Sequence, residues 1–227
     1  MFLQIIYITE GYALDNQNVN QFLYSREQEW PKWSLPNLKY SDISKDLIYP
    51  DWFEGKWIIS SQDLENNLKE KIVYEVNFFK NEEGEVVGDR SNNSEAVGKA
   101  IFGDRLKKVR NDPQSFNNQI TYLIDSEYIE SRVTARSQIH DNNLFFSDEF
   151  VIQTVHKPEA SRINQVEVMS KFYKCKFDDK KTEEDSKNDI CGIQYIATYG
   201  SKVGIQTVEA ITTNKFSLRF KPIENLH

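Results

Sequence analysis

Arg132 and Arg136 stand four residues apart in Tyr128–Gln138, a run whose residue types predict a strand, so both side chains are expected on the same side of it. A guanidinium offers a carboxylate two parallel hydrogen bonds. If that side faces an interior, the two arginines can hold the carboxylate of a ligand or pair with Glu149 on the following strand; if it faces outward, they are charges that keep the protein in solution. Tyr74 and Phe78, at even spacing on an earlier run, are the expected aromatic lining around those polar anchors. Cys175 and Cys191 are the only cysteines, and the polar, acidic stretch between them reads as a loop joining two strands of a hairpin. They are therefore expected close together, as a disulfide in an oxidising compartment or as two thiols in a reducing one, and without nearby histidines they make no metal site.

Acid–base chemistry has few carriers. The histidines are His140 in the turn Ile139–Asn143, His156 at a strand end beside Lys157-Pro158, and the terminal His227. Gly-x-Ser-x-Gly, P-loop and Gly-x-Gly-x-x-Gly motifs are absent from the sequence. Glu183-Glu184-Asp185 reads as a solvated charge run, and Asp89-Arg90 and Asp104-Arg105, which bracket a predicted helix, read as caps or local ion pairs. The residues therefore name no catalytic group, call for no cofactor, and lean away from an enzyme.

The elements that must position these groups follow from length and patterning. A chain of 227 residues with 39% hydrophobic residues, 14 Phe, 11 Tyr and 4 Trp has ample apolar surface for one ordinary domain. Its formal charge of −7, with no basic block, disfavours nucleic acid and anionic lipid, and no apolar run is long enough for a spanning helix. Met1–Ala13 has the outline of a worn signal segment without its charged start, and reads equally as a plain strand or loop. Residues 1–46 read as a leader and arm, with a short amphipathic helix over Asp15–Trp30 carrying Val19, Phe22 and Leu23, followed by an extended stretch punctuated by Pro31 and Pro36.

Residues 47–227 read as the folded domain. Strands are predicted over Lys56–Gln62, Lys71–Lys80, Glu85–Gly88, Leu106–Arg110, Gln119–Ile124, Tyr128–Gln138, Leu144–His156, Ile163–Phe177, Ile190–Tyr199, Thr207–Thr212 and Lys215–Lys221. One helix, Asn93–Phe102, interrupts them, with Asn93 or Ser94 as its cap and Gly103 as its stop. So many short strands with hairpin-length connections predict an all-β fold, an antiparallel meander that closes into a barrel to remove its edges.

Tyr49-Pro50-Asp51-Trp52-Phe53-Glu54-Gly55-Lys56-Trp57 is similar to the way the lipocalin-like (calycin) superfamily closes one end of its barrel. The resemblance implies that Gly55 permits a tight entry, that Trp57 plugs the floor, and that Arg219 on the last strand stacks on the indole. At a finer level the chain resembles a family of unknown function found in cyanobacteria and plastids. That likeness is carried by Asp46–Trp57, Val87-Gly88-Asp89-Arg90, Ile101-Phe102-Gly103-Asp104 and Asp148-Glu149-Phe150, with Asp63–Lys71 looking shortened. It implies export to a thylakoid lumen or a periplasm, with the cytoplasm left open, and no activity, ligand or catalytic residue. The expected function is binding of a small apolar molecule, such as a pigment, tetrapyrrole, carotenoid or lipid, in a photosynthetic cell. The alternatives are a chromophore-handling factor, since lyases of light-harvesting antennae are also lipocalin-like barrels, and an assembly protein whose arm docks a partner through Trp30, Trp33 and Trp52.

Overall fold

The computed structural model describes residues 16–36, 45–66, 70–175, 188–202, 205–206 and 208–223; the leader Met1–Ala13, the run Glu183–Asp185 and His227 lie outside them. In chain order the strands are β1 (Ile48–Tyr49), β2 (Gly55–Asp63), β3 (Ile72–Lys80), β4 (Val86–Gly88), β5 (Leu106–Asp112), β6 (Ser115–Leu123), β7 (Tyr128–His140), β8 (Leu144–His156), β9 (Ser161–Lys174), β10 (Ile190–Tyr199), β11 (Ser201–Lys202), β12 (Ile205–Gln206) and β13 (Thr212–Pro222). Helix α1 (Asn16–Gln28) precedes them, and α2 (Arg90–Phe102) stands between β4 and β5. Where Thr207–Thr212 was expected as a strand, residues 208–211 hold only a single bridge from Glu209 to Ser34, and Thr207 lies outside the described residues.

Eleven strands form one antiparallel sheet in the order β1-β4-β3-β2-β13-β10-β9-β8-β7-β6-β5, while β11 and β12 pair separately. The fold is all-β and barrel-like. Its first and last long strands are neighbours, with Trp57 opposite Pro222 and Ile59 opposite Phe220. No ladder joins β1 to β5, so among the described residues the sheet is a curled half-barrel rather than a ring closed by strand pairing. The reason lies in the connection between the two ends: α2 replaces the hairpin that would have paired β4 with β5, and packs on β3 and β5 instead.

Helix α2 starts at Arg90, three residues before the predicted start, because Asp89 caps it by accepting the N–H of Asn92. Asn93, freed from capping, binds the backbone of Asn77 with both side-chain groups, at 2.8 and 2.9 Å, and ties the helix to β3.

Alternation sorts the side chains onto two faces. The inner face gathers Trp57, Ile59, Val76, Phe78, Phe145, Phe172, Leu218 and Phe220 around Phe53. On the outer face α1 lays its Phe22–Leu23 stripe, and then Trp33, over Phe146, Met169, Tyr195 and Tyr199. The arm is therefore packed against the sheet. A disulfide joins Cys175 to Cys191 across the β9–β10 hairpin, with Cα atoms 5.0 Å apart, as the hairpin reading anticipated.

Gly192 lies directly under the Phe172 ring: a β-carbon there would meet the ring at 2.1 Å. Gly192→Ala is expected to cost about 1–3 kcal/mol by overpacking the interior. Urea unfolding checks it, and an unchanged midpoint would show that the ring can move aside.

Candidate functional site

The two arginines part company at a bulge. Between Val133 and Ala135 the β7–β8 register slips, so that Arg132 stands opposite Ile152 and Arg136 opposite Glu149. Thr134 is the additional residue, and it turns its hydroxyl to the carbonyl of Phe150 at 3.2 Å. One inserted residue reverses the parity of everything after it, which corrects the expectation that both side chains share a side. Arg132 is exposed; Arg136 is buried on the inner face.

Arg136 and Glu149 do meet, but as partners of each other. Nε and Nη2 donate to Glu149 Oε1 at 2.8 and 2.6 Å, Nη2 also to Asn117 Oδ1 at 3.0 Å, and Nη1 to the carbonyl of Lys45 at 2.7 Å. The last contact begins a strap. Arg90 donates to Asp46 at 2.7 Å and to the carbonyl of Phe116 at 2.6 Å, and Gln138 both donates to the carbonyl and accepts the N–H of Ile48, at 3.3 and 3.4 Å. Side chains of the sheet and of α2 thus hold Lys45–Tyr49 where a ligand's polar group had been expected. Tyr49 sinks from that strap between Phe53, Phe78 and Phe145, with ring centroids 4.7–5.0 Å away. Burial, and then the charge of Glu149, push its hydroxyl pKa above the ordinary tyrosine value.

Phe78 is part of the same ring cluster, and Tyr74 lies half-buried at its border, its hydroxyl pushed up to about 12 by burial. Gly55 has φ +123°, the left-handed region that glycine enters freely, and so admits the tight entry into β2. Trp57 is buried and donates to the carbonyl of Phe53 at 2.8 Å. Arg219 does not stack on it. Its register opposite Ser60 and Cys191 puts it on the outer face, where Nε binds Asp189 at 2.7 Å. The arm tryptophans are likewise engaged within the molecule: Trp33 is buried, Trp30 packs edge-on to it at 4.8 Å, and Trp52 stacks on Phe53 at 4.6 Å. His156 stacks on Tyr128 and meets Glu130 at 3.2 Å at the surface, and His140 is exposed.

A buried ionic cluster under α1 was not foreseen. Arg26 forks onto Glu167 through Nε and Nη2, both at 2.7 Å, and Nη2 reaches the carbonyl of Ser34 at 2.5 Å. Tyr199 donates to the same carboxylate, and the Trp33 ring lies 4.6 Å from the guanidinium. Burial alone lowers the Arg26 pKa, but the hydrogen bonds and charge of Glu167 outweigh it and hold the cation above its ordinary value. Asp148 and Glu167 are both 0% exposed; as two ionised carboxylates they would leave Asp148 without a hydrogen-bond partner among the described residues, whereas a proton on Asp148 lets it bond to Glu167. Burial first, and then the negative charge of Glu167, raise Asp148 well above the usual carboxylate range. The sequence carried one signal for this: Arg26 falls on the helical stripe of Val19, Phe22 and Leu23, and Asp148 sits between Phe146 and Phe150 on an apolar strand face.

Because the folded state retains a proton on Asp148 that the unfolded chain releases, stability should fall by up to about 1.4 kcal/mol per pH unit once pH exceeds the unfolded aspartate pKa. The loss ends at the raised folded value. Asp148→Asn removes this slope and should gain on the parent protein as pH rises. Urea unfolding at about pH 5 and about pH 8 checks the difference; parallel profiles would mean that Asp148 is ionised in the fold.

Open clefts indent the surface; Arg136, Glu149, Tyr74 and Phe78 line none of three that measure 470–520 Å³. One lies at the start of β2 beside Trp52 and Trp57, and another along β5–β7 beside Arg132. The third occupies the unjoined seam of the sheet, between Asp46 and Val87 on one bank and Asn111 and Phe116 on the other. Among the described residues no cluster of three or more His, Cys, Asp or Glu could hold a metal, and no helix is long and apolar enough to cross a membrane. In comparisons with known proteins, a family described as "Domain of unknown function (DUF6816)" matches residues 58–221, from within β2 to within β13. No curated protein and no solved structure matches.

Proposed function

The chain belongs to the DUF6816 family, and from that footing we propose that it acts as an assembly or interaction protein, a barrel-like scaffold that engages a protein partner through its outside. The observation that carries this reading is the state of the inner anchor: Arg136 is fully engaged by Glu149, Asn117 and the chain's own Lys45, above a core of packed rings. A binding barrel keeps such a group for its ligand. On the outside, by contrast, Phe79 and Phe116 stand exposed along one cleft.

Protein isolated from the cells that make it separates the readings by native mass spectrometry and absorbance. A stoichiometric protein partner with no bound small molecule supports the interaction reading; a copurified chromophore or lipid on a partnerless chain defeats it. The small-ligand reading, in which a lipocalin-like barrel holds a pigment, tetrapyrrole or lipid, is supported by one feature, the cleft of about 520 Å³ at the start of β2, with Trp52 and Trp57 beside Lys56 and Lys174. The Cys175–Cys191 disulfide supports residence in an oxidising compartment, the lumen or periplasm of a photosynthetic cell on the family resemblance.

A further inference from the structure

We propose that the cleft at the unjoined seam is a docking groove for a short lysine- or arginine-rich segment of a partner protein, which places an apolar side chain against Phe79 and Phe116. This rests on the interaction reading above and names the surface and the chemistry of the partner. Three observations converge on it. The seam is where the sheet runs out of strands: β1 and β5 are its two ends, and side chains such as Arg90, which reaches from Asp46 to the carbonyl of Phe116, cross the gap in place of a ladder. Phe116 is 61% exposed and Phe79 44%, so two large rings border the same 520 Å³ of open space. Rings presented to solvent beside a concave space are the usual anchors of a protein contact.

Charge chooses the occupant. Asp46, Glu82, Glu83, Glu85 and Asp89 line the cleft against only Lys45 and Arg90. Arg90 is already bound to Asp46, so the remaining field is negative and favours a cationic segment. A second copy of this chain carries the same formal charge of −7 and is repelled. The rest of the free edge is guarded: β5 carries Lys107, Lys108 and Arg110, cations that discourage indiscriminate strand pairing, which leaves the acidic end as the place of contact.

Fluorescence anisotropy with a labelled peptide of alternating lysine and leucine tests the groove, with the glutamate–leucine peptide as its counterpart. The lysine peptide should bind and the glutamate peptide should not. Phe116→Ser should weaken binding at least about tenfold, as loss of a central aromatic anchor does. Glu82→Gln with Glu83→Gln should weaken it about two- to fivefold and lessen its dependence on salt. Ile163→Ser removes an apolar residue that is 65% exposed and lines none of the clefts, and should change nothing. All these positions are at the surface, and unchanged melting of each variant establishes that it is folded.

Absence of binding, equal binding of both peptides, or an equal loss in Ile163→Ser overturns the proposal. So does a concentration-dependent dimer abolished by Phe116→Ser, which would make a second copy the occupant. Using wild-type and Phe116→Ser protein as paired baits separates the two levels of the argument. A partner kept by Phe116→Ser defeats the groove and leaves the interaction reading standing, whereas a bound small molecule without any partner defeats that reading itself.

Discussion

Arg26→Met should cost about 3–5 kcal/mol of folding stability, because it leaves the Glu167 carboxylate fully buried with the Tyr199 hydroxyl but no cation, beside the equally buried Asp148. Removing one member of a buried pair leaves an uncompensated charge, and here α1 also loses its contacts with the Ser34 carbonyl and the Trp33 ring. Arg26→Met combined with Glu167→Leu is expected to recover most of the loss, since replacing both charges by apolar groups of similar size removes the desolvation penalty along with the attraction. Urea unfolding of the two variants measures this. If the single substitution costs less than about 1 kcal/mol, the range of exposed pairs, or the double costs as much as the single, the buried pair is not what holds the helix.

Arg136→Met is expected to destabilise by about 3 kcal/mol, at the lower end for a broken buried pair because Glu149 retains some contact with solvent. Arg132→Met, exposed on the other side of the bulge, should stay within about 0.5 kcal/mol of the parent. The contrast tests the register slip itself: two arginines four apart on a regular strand would respond alike. Hydrogen exchange adds a local readout, because Arg136→Met frees the carbonyl of Lys45 and should loosen the strap, raising exchange at Ile48 ahead of the ring cluster below. Equal stability losses for the two arginines would refute the placement.

Much of the fold was legible because the inner strands write their period plainly. Val76 and Phe78 alternate with the polar Glu75 and Asn77, and the hairpin around Cys175 and Cys191 is marked by a charged loop between two apolar runs. The missing pieces share one physical cause: parity and capping depend on single residues that no period announces. Thr134 looks like any β-branched strand residue, yet its insertion sends Arg132 and Arg136 to opposite faces. Arg219 lies on the correct strand, and the ladder puts it one face away from Trp57. Asp89 takes the cap expected of Asn93 or Ser94, and the early start of the helix leaves Asn93 facing β3. Of the expected interior site, the pairing of Arg136 with Glu149 was within reach of the sequence. That the chain's own Lys45 would complete it was not, because the two residues are 91 positions apart.

The adjacency of β2 and β13 also fixes the order in which the sheet can be completed as the chain is made. Strands β5 to β10 pair each with the next in the sequence, so that half can assemble from contacts between consecutive strands. Strands β2 and β3, although they emerge earlier, wait on one side: β2 has β3 for a partner, and its other edge stays open until β13 arrives from the far end of the sequence. Trp57 and Ile59, both buried in the inner core, belong to that waiting strand. The last strand of the sheet in chain order is therefore the one that joins two earlier halves, and a chain without Thr212–Pro222 lacks the hydrogen bonds that link them.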